Sequence, residues 1–247
     1  MNVLELEHVS KSFGGLRAVD DVSFAVAEKQ IYGLIGPNGS GKTTVFNLIT
    51  GMHKLDHGRI MFEGKDISKL RPNKIHRLGA ARTFQLVRPF LDMSVMDNIR
   101  VGWVFSGNPE SLASGGDEII SSLKLVALEE KADLLARDLT LFEMKKLELA
   151  RALASKPRLL LIDEFFAGLS HPQVSAGIQD IRRLNTERGI TILIIEHNVR
   201  ALMQLAETLT VLSYGKVIAE GTPEEIAADP IVIDAYLGGK YASALRR

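Results

Sequence analysis

A glycine-rich loop at residues 36–44 carries the strongest chemical signal in this sequence. Its letters, GPNGSGKTT, match G-x-x-x-x-G-K-[ST], a pattern that binds nucleotide phosphates. Glycines let backbone amides turn toward phosphate, Lys42 supplies positive charge to the β- and γ-phosphates, and Thr43 supplies a hydroxyl to Mg²⁺. A chance glycine turn before a helix is the alternative. The sequence therefore predicts that ATP and Mg²⁺ bind the whole loop: Gly36, Pro37, Asn38, Gly39, Ser40, Gly41, Lys42, Thr43 and Thr44.

Two carboxylates end a short apolar run, LLLIDE, at residues 159–164. An acidic side chain at the carboxyl end of a parallel strand faces the ligand crevice of an open α/β sheet. Asp163 is therefore expected to reach Mg²⁺, and Glu164 to polarise the attacking water as a general base. Proton transfer of this kind contributes about 10²–10⁴-fold to a rate. The alternative is a polar strand end that caps the next helix.

Three further side chains are expected at the same site. Gln85 closes the segment RTFQ and is expected to contact the metal and the water. His197 follows the apolar run ITILIIE, which places it at the same sheet edge as the carboxylates, where it can hydrogen-bond the γ-phosphate. Phe13 precedes a glycine pair and can stack on adenine. The alternatives are a surface amide, a loop histidine and a packed ring, while Trp103 is predicted only to pack.

A sheet whose strands end together must hold these residues. Residues 2–9 and 20–28 alternate apolar and polar side chains, as antiparallel strands do. Short continuous apolar runs alternate with helical segments, which indicates a buried parallel sheet covered by helices. The predicted elements are strands at 30–35, 158–162 and 190–195, helices from about Lys42, over 172–187 and from Pro223, and a hairpin over 208–220 that turns near Tyr214-Gly215.

We therefore predict an α/β fold with a P-loop NTPase core. It combines a mostly parallel sheet with an N-terminal antiparallel β part and an inserted helical subdomain. All residues, 1–247, form one ATPase domain, whose catalytic core comprises 1–85 and 156–247. The helical subdomain spans 86–155, with a Gly/Ser/Pro-rich break at 106–116.

Bulk composition narrows the function classes. Lys+Arg and Asp+Glu both number 30, so no overall positive field favours nucleic acid as a partner. There are no cysteines, which excludes disulfides and thiolate metal sites. The first residues lack the pattern of a signal peptide, and no apolar run reaches the roughly 18 residues that cross a bilayer. A membrane function would therefore need another chain to make the crossing.

In this order, the motifs resemble those of the ATP-binding subunit of an ABC transporter, over essentially the whole chain. Phe13 matches the adenine-stacking aromatic, Gln85 the Q-loop, Asp163 and Glu164 the second acidic motif, and His197 the switch histidine. The segments RTFQLVRPFLDMSVMDNI and GTPEEIAADPIVIDAYLGG most resemble ATPases of branched-chain (hydrophobic) amino-acid importers.

The resemblance implies that two such subunits pair head-to-tail around two ATP molecules and drive transmembrane permease subunits. A solute-binding protein would be an indirect partner. The chain would lie at the cytoplasmic face of the inner or plasma membrane, held there by its partners. Large apolar residues after the Q-loop are candidates for a groove that receives a permease helix, with packing inside the helical subdomain as the alternative: Leu86, Val87, Phe90 and Met93.

One motif departs from the family pattern. Where the family has L-S-G-G-Q, whose helix N-terminus meets the γ-phosphate of the opposite subunit, this chain has LTLFE at 139–143. Leu141 and Phe142 replace glycines that allow close backbone approach, and Glu143 puts negative charge where an anion binds. Thr140 and Glu143 also match a capping box, T-x-x-E. The sequence therefore favours pairing with a paralogue that carries a regular signature, with a homodimer as the alternative.

The loop after the acidic strand differs from the family too, because Phe165 replaces a proline and AGLS at 167–170 lacks an aspartate. Two functions other than amino-acid import stay open at this point. One is an ATPase of lipopolysaccharide export, and the other is a nucleotide-gated scaffold that does not hydrolyse ATP. A soluble ABC-type ATPase of DNA repair is disfavoured, because the chain lacks sustained heptads.

Overall fold

The computed structural model describes residues 1–106 and 111–237, apart from the side chains of 111–114 and 237. Strands in this part of the chain form two sheets. In chain order the strands are β1 (Asn2–Phe13), β2 (Leu16–Ala27), β3 (Ile31–Ile35), β4 (His57–Phe62), β5 (Lys65–Asp66), β6 (Ala80–Arg82), β7 (Leu159–Asp163), β8 (Thr191–Ile195), β9 (Thr208–Ser213) and β10 (Lys216–Gly221).

The helices lie between these strands and after the last of them. They are α1 (Lys42–Ile49), α2 (Pro72–Arg77), α3 (Val95–Val104), α4 (Ser111–Leu125), α5 (Leu141–Leu153), α6 (His171–Arg188), α7 (Val199–Leu205), α8 (Pro223–Ala228) and α9 (Pro230–Leu237). In the ranges described, none of the helices has the length and apolar character needed to cross a membrane.

The larger sheet has the strand order β10-β9-β3-β8-β7-β6. Its strands are parallel from β9 to β6, and β10 runs antiparallel to β9. Every residue of β3, β7 and β8 is buried, because helices pack on one face of the sheet and the smaller sheet, together with α1, packs on the other. This confirms the predicted α/β fold, but the prediction of helices on both faces is wrong for the second face, which is covered mainly by strands. Since parallel strands point the same way, the residues that follow β3, β6, β7 and β8 meet at one edge.

The smaller sheet is the predicted antiparallel part, in the order β2-β1-β4-β5. Strands β1 and β2 both extend further toward the turn that joins them than the predicted ranges 2–9 and 20–28. Register shifts interrupt the alternation of apolar and polar side chains before the strands end, so the pattern did not reveal these residues. Strand β4 was not predicted, since three of its six residues are exposed in a row and leave no clear period. The sheet carries β1 as far as Phe13, and so places that ring beside the phosphate loop.

Between β6 and β7 the described chain is mainly helical. Helix α4 has already begun at Ser111, so the predicted break is wrong over 111–116, while 107–110 lie outside the described residues. A Cβ on Gly115 would lie 2.4 Å from Nε1 of Trp103, so this glycine permits close packing of α4 on α3. Trp103 is buried, as predicted. The division of the chain into core and subdomain ranges stays a prediction.

The predicted hairpin is present as β9 and β10. Its turn lies at Tyr214 and Gly215, whose φ angles of 47° and 79° are those of a tight hairpin turn. Helices α8 and α9 follow it, which confirms helix from Pro223.

Candidate functional site

The loop between β3 and α1 has the backbone shape that its glycines allow. Gly36, Gly39 and Gly41 have φ angles of 152°, 78° and 106°, which L side chains rarely adopt. A Cβ on Gly36 would lie 2.1 Å from the Leu212 carbonyl oxygen, and one on Gly41 would lie 2.4 Å from that of Ala18. The glycines therefore let the loop curl and also let it pack against neighbouring backbone.

Lys42 begins α1 and folds back over this loop. Its Nζ donates hydrogen bonds to the carbonyl oxygens of Gly36 and Pro37, at 2.8 and 3.0 Å. Burial lowers the pKa of Lys42, and the nearby charges of Glu164 and Asp163 oppose that shift. The ammonium therefore lies between the loop and both predicted carboxylates.

A cavity of about 550 Å³ opens over the loop, a size that suits a small-molecule ligand. The cavity is lined by residues 38–44 of the loop together with Phe13 and His197. It is also lined by Arg17 and Tyr214, which the sequence analysis did not identify as site residues. The Phe13 ring is 42% exposed and meets His53 edge-on, with 5.1 Å between ring centroids. The ring therefore lies exposed at the cavity rim, and its stacking on adenine stays a prediction.

Glu164 follows β7 and is held through both carboxylate oxygens. Gln85 Nε2 donates to its Oε2 at 2.7 Å, and His197 Nε2 lies 2.8 Å from its Oε1. The structure thus brings together three of the predicted site residues, which come from different parts of the chain. A buried carboxylate fixed in this way is suited to accept a proton from a positioned water.

Asp163 pairs with Arg82, a residue that the sequence analysis missed. Arg82 Nη2 donates to Asp163 Oδ2 at 2.7 Å, and Nη1 donates to Asn47 Oδ1 at 2.7 Å. The guanidinium carbon lies 5.4 and 5.1 Å from the ring centroids of Phe46 and Phe84. The sequence showed an arginine in the short strand before the Q-loop, but it could not identify Asp163 as its partner, because that depends on the pairing of β6 with β7.

The donors predicted for Mg²⁺ suit that ion. Thr43 offers a hydroxyl in the cavity wall, Asp163 a carboxylate and Gln85 an amide oxygen, and Mg²⁺ prefers oxygen ligands. Within the described ranges, no group of three or more metal-ligating side chains forms a closed site. Mg²⁺ is usually held through one or two carboxylates together with substrate phosphates.

The altered signature motif begins α5 with the predicted capping box. Glu143 Oε2 accepts from the Thr140 amide at 2.9 Å, and Thr140 Oγ1 accepts from the Glu143 amide at 3.4 Å. Lys131 Nζ lies 2.5 Å from Glu143 Oε1. Partial burial raises the pKa of Glu143, but hydrogen bonds from Lys131 and Thr140 outweigh it, so the pKa lies below its ordinary value. The negative charge predicted here is therefore present and paired within the chain.

Leu141 and Phe142 pack on the loop that follows β7. Phe142 meets Phe165 edge-on, with 6.3 Å between ring centroids, and the Lys146 ammonium lies 4.8 Å from the Phe142 centroid. Leu141 Cδ2 lies 3.2 Å from the place that a Cβ on Gly168 would occupy. Side chains that replace two family glycines thus contact the same chain's loop after Glu164.

Glu196 is a buried acid that the sequence analysis passed over. It follows β8 and accepts a hydrogen bond from the Phe166 amide at 2.9 Å. Burial raises its pKa to about 7. The letters ITILIIEH placed it at a strand end but gave no sign that the loop after β7 would cover it.

Comparison with protein families places the chain among transport ATPases. A family model described as "ABC transporter" matches residues 19–167. A second model, described as "Branched-chain amino acid ATP-binding cassette transporter", matches residues 216–242.

Curated relatives are similar over nearly their full length. The high-affinity branched-chain amino acid transport ATP-binding protein BraF of Pseudomonas aeruginosa is 37% identical, over 96% of this chain and 98% of that protein. The corresponding proteins named LivG are 36% identical in Salmonella typhimurium and 35% in Escherichia coli K12, with the same coverage.

Solved structures share the fold. The ADP conformation of MJ1267, an ATP-binding cassette of an ABC transporter, matches with a TM-score of 0.87 and 34% identity, over 96% of this chain and 99% of that one. A nucleotide-free cassette from an ABC transporter matches with a TM-score of 0.86 and 33% identity, over 96% and 100% of the two chains.

Proposed function

This chain belongs to the family of ABC transporter ATP-binding subunits and is an ATPase, and from that premise we propose that it powers uptake of branched-chain or related hydrophobic amino acids. Two findings support this substrate class. The relatives BraF and LivG are described as branched-chain amino acid transport ATP-binding proteins, and the C-terminal family match carries the same description. The observation that carries ATP hydrolysis is the placement of Gln85 and His197 on Glu164, beside the Lys42 loop.

In the proposed reaction, the phosphates of ATP lie over residues 36–44, where backbone amides and Lys42 offset their charge. Phe13 offers its ring to adenine from the cavity rim. Glu164 accepts the proton of the attacking water. Gln85 and His197 each hold one of its carboxylate oxygens, so the base is oriented before the water arrives.

We also propose Mg²⁺ as the nucleotide's metal, with Thr43, Gln85 and Asp163 as its protein partners. When bound, Mg²⁺ would offset charge on the phosphates during transfer. Arg82 fixes one oxygen of Asp163 through a buried ion pair, which orients this carboxylate.

The test uses the ATPase assembled with its permeases in proteoliposomes. Lys42→Ala should abolish both ATP retention and accumulation of labelled leucine, because it removes the charge that faces the phosphates. Glu164→Gln should retain ATP but slow a single turnover by about 10²–10⁴-fold. ATP-driven uptake of a charged amino acid without uptake of leucine would refute the substrate class and leave the ATPase assignment intact.

A paralogous ATPase is the favoured partner, with a homodimer as the alternative. Leu141 and Phe142 put bulk where family members have glycine, and both pack against the chain's own loop. Fewer backbone amides at the start of α5 are left to bind an anion, because the side chains of Thr140 and Glu143 each accept a hydrogen bond from the other's amide. This surface is therefore poorly suited to a partner's γ-phosphate, whereas the chain's own phosphate loop is complete.

The triple change Leu141→Gly, Phe142→Gly and Glu143→Gln rebuilds the family pattern in the assembled complex. ATP hydrolysis should rise, since a second site would gain amides that face phosphate. A change of Lys131→Met, which removes only the cation paired with Glu143, is the control and should not raise it. Hydrolysis that falls or stays level in the triple variant would contradict the weakened surface.

We propose that permease subunits dock on the apolar segment after the Q-loop, which would hold the chain at the cytoplasmic membrane face. Leu86 and Phe90 are 66% and 48% exposed, whereas Val87 and Met93 are half-buried. Buried Asn98 fixes the Phe90 backbone, with hydrogen bonds of 2.8 and 3.0 Å to its amide and carbonyl. The ring is therefore presented on a rigid support.

Phe90→Asp should release the permeases in a pull-down while ATP binding persists, because a carboxylate cannot enter an apolar groove. Phe105→Asp is the matched control, since that ring is 71% exposed at the far end of α3. Equal release by both variants, or loss of ATP binding in Phe90→Asp, would argue for packing within the subdomain instead.

A further inference from the structure

Lys145 is a buried lysine that reaches the catalytic loop from the helical part of the chain. It lies in the second turn of α5 and is 5% exposed. Its Nζ donates a hydrogen bond of 3.1 Å to the backbone carbonyl of Glu164. A buried cation is unfavourable unless it has partners, so its burial here calls for a role.

The backbone of Glu164 needs such support. Its φ is 50°, in the left-handed region that a residue with a Cβ enters only at an energetic cost. On one side its amide donates to the Ile195 carbonyl at 2.9 Å, and on the other its carbonyl accepts from Lys145. These two bonds fix the peptide units on both sides of the strained residue. The direction of the carboxylate follows from them, because the side chain leaves a backbone that cannot rotate.

Charges around Lys145 explain how it stays in place. Burial lowers its pKa, and the nearby carboxylates of Glu196, Glu148 and Glu164 oppose that shift. Its ammonium also lies 5.9 Å from the ring centroid of Phe165, the residue next to Glu164. The lysine thus occupies a site formed by the ends of β7 and β8 together with α5.

We propose that Lys145 is a positioning residue for ATP hydrolysis, which orients Glu164 by holding its carbonyl and ties the start of α5 to the catalytic loop. This inference rests on the proposed role of Glu164 as general base. Lys145 does not line the nucleotide cavity, so its action is on the rate of hydrolysis and not on nucleotide affinity.

Three substitutions separate the functions of the side chain. Lys145→Met removes charge and donor, Lys145→Gln keeps an N–H donor on a shorter side chain, and Lys145→Arg keeps both charge and donors. Lys146→Met is the matched control. It lies in the same helix at similar burial and loses an ion pair to Asp180 (3.2 Å), but Lys146 makes no bond to Glu164.

The assay is single-turnover ATP hydrolysis by the assembled complex, together with the dissociation constant for ATP. Lys145→Met should slow hydrolysis by about 10- to 100-fold, the cost of a misplaced catalytic group, with ATP affinity unchanged. Lys145→Arg should restore most of the rate, Lys145→Gln should fall between, and Lys146→Met should hydrolyse like the wild type. If Lys145→Met does not fold, the order of the Gln and Arg variants decides.

Equal losses in Lys145→Met and Lys146→Met, or wild-type hydrolysis in Lys145→Gln and Lys145→Met, would overturn the inference. Loss of ATP affinity in step with the rate would overturn it as well. Glu164→Gln, measured in parallel, separates this failure from that of the proposed function. If Glu164→Gln hydrolyses normally, the general base is misassigned; if it is slow while Lys145→Met is normal, only the positioning role is wrong.

Discussion

Removal of the Arg82 guanidinium tests how much the buried ion pair between Arg82 and Asp163 stabilises the protein. Both side chains are nearly inaccessible, at 7% and 4% exposed, and their ion pair is 2.7 Å long. Arg82→Met keeps an unbranched apolar stem between Phe46 and Phe84 but leaves the Asp163 carboxylate without its cation.

The structure sets the size of the effect. Removing one partner of a buried ion pair costs about 3–5 kcal/mol, because the other charge stays buried and unpaired. The hydrogen bond to half-buried Asn47 is lost as well, which adds about 1 kcal/mol. We therefore expect the free energy of unfolding to fall by about 4–6 kcal/mol. Adding Asp163→Asn to Arg82→Met removes the unpaired charge, so the double variant should regain about 2 kcal/mol of the free energy of unfolding.

Urea unfolding, followed through the fluorescence of Trp103, the only tryptophan of the sequence, measures all four members of this cycle. Arg59→Met is the control, because its pair with Glu7 is 59% and 36% exposed and, being screened by solvent, should contribute little to the free energy of unfolding. A loss in Arg82→Met no larger than in Arg59→Met would refute the reasoning. So would a double variant that is no more stable than Arg82→Met.

Three further outcomes follow from single side chains. Burial raises the Glu196 pKa from 4.5 to about 7. Between these pH values the folded chain holds a proton that the unfolded chain releases, so the free energy of unfolding falls as pH rises from about 4.5 to about 7. In Glu196→Gln, urea unfolding at pH 4.5 and pH 7 should lack this loss of about 3 kcal/mol; an unchanged pH dependence would contradict it. Gly36→Ala should abolish binding of a fluorescent ATP analogue, whereas Gly64→Ala, which also has positive φ but open space around it, should bind normally. Glu143→Ala should lower the free energy of unfolding by about 1 kcal/mol through loss of the capping box, and an unchanged urea midpoint would refute that estimate.

The phosphate loop could be predicted from sequence because its chemistry is local. A strand, a turn of glycines and a helix follow one another within residues 31–49, and every requirement of the loop falls inside that segment. The same holds for the capping box at Thr140 and Glu143, which depends on neighbours three residues apart. The placement of Asp163, Glu164 and His197 needed only one further rule, that parallel strands end at the same edge of a sheet.

The partners that fix those residues could not be predicted, because they depend on which strands and helices become neighbours. Arg82 meets Asp163 only because β6 pairs with β7, although about seventy-six residues separate the two strands in the sequence. Lys145 reads in sequence as one of two adjacent helix lysines, and nothing local distinguishes it from Lys146. Their positions on α5 differ, so the Lys145 side chain reaches Glu164 and the Lys146 side chain reaches Asp180.

Two departures from the family pattern, Phe142 and Phe165, lie in contact with each other. A phenylalanine at position 142 adds a ring that needs a partner, and the phenylalanine at 165, where the family has proline, provides one. An edge-on pair of this kind contributes about 0.5–1.5 kcal/mol beyond the area that it buries. Phe165 directly follows Glu164 in the chain, so the ring of Phe142 packs against the loop of the proposed general base. If the bulk at 141–142 weakens the surface toward a partner's nucleotide as we propose, the same side chains support this chain's own loop, and the altered signature then exchanges one role for another.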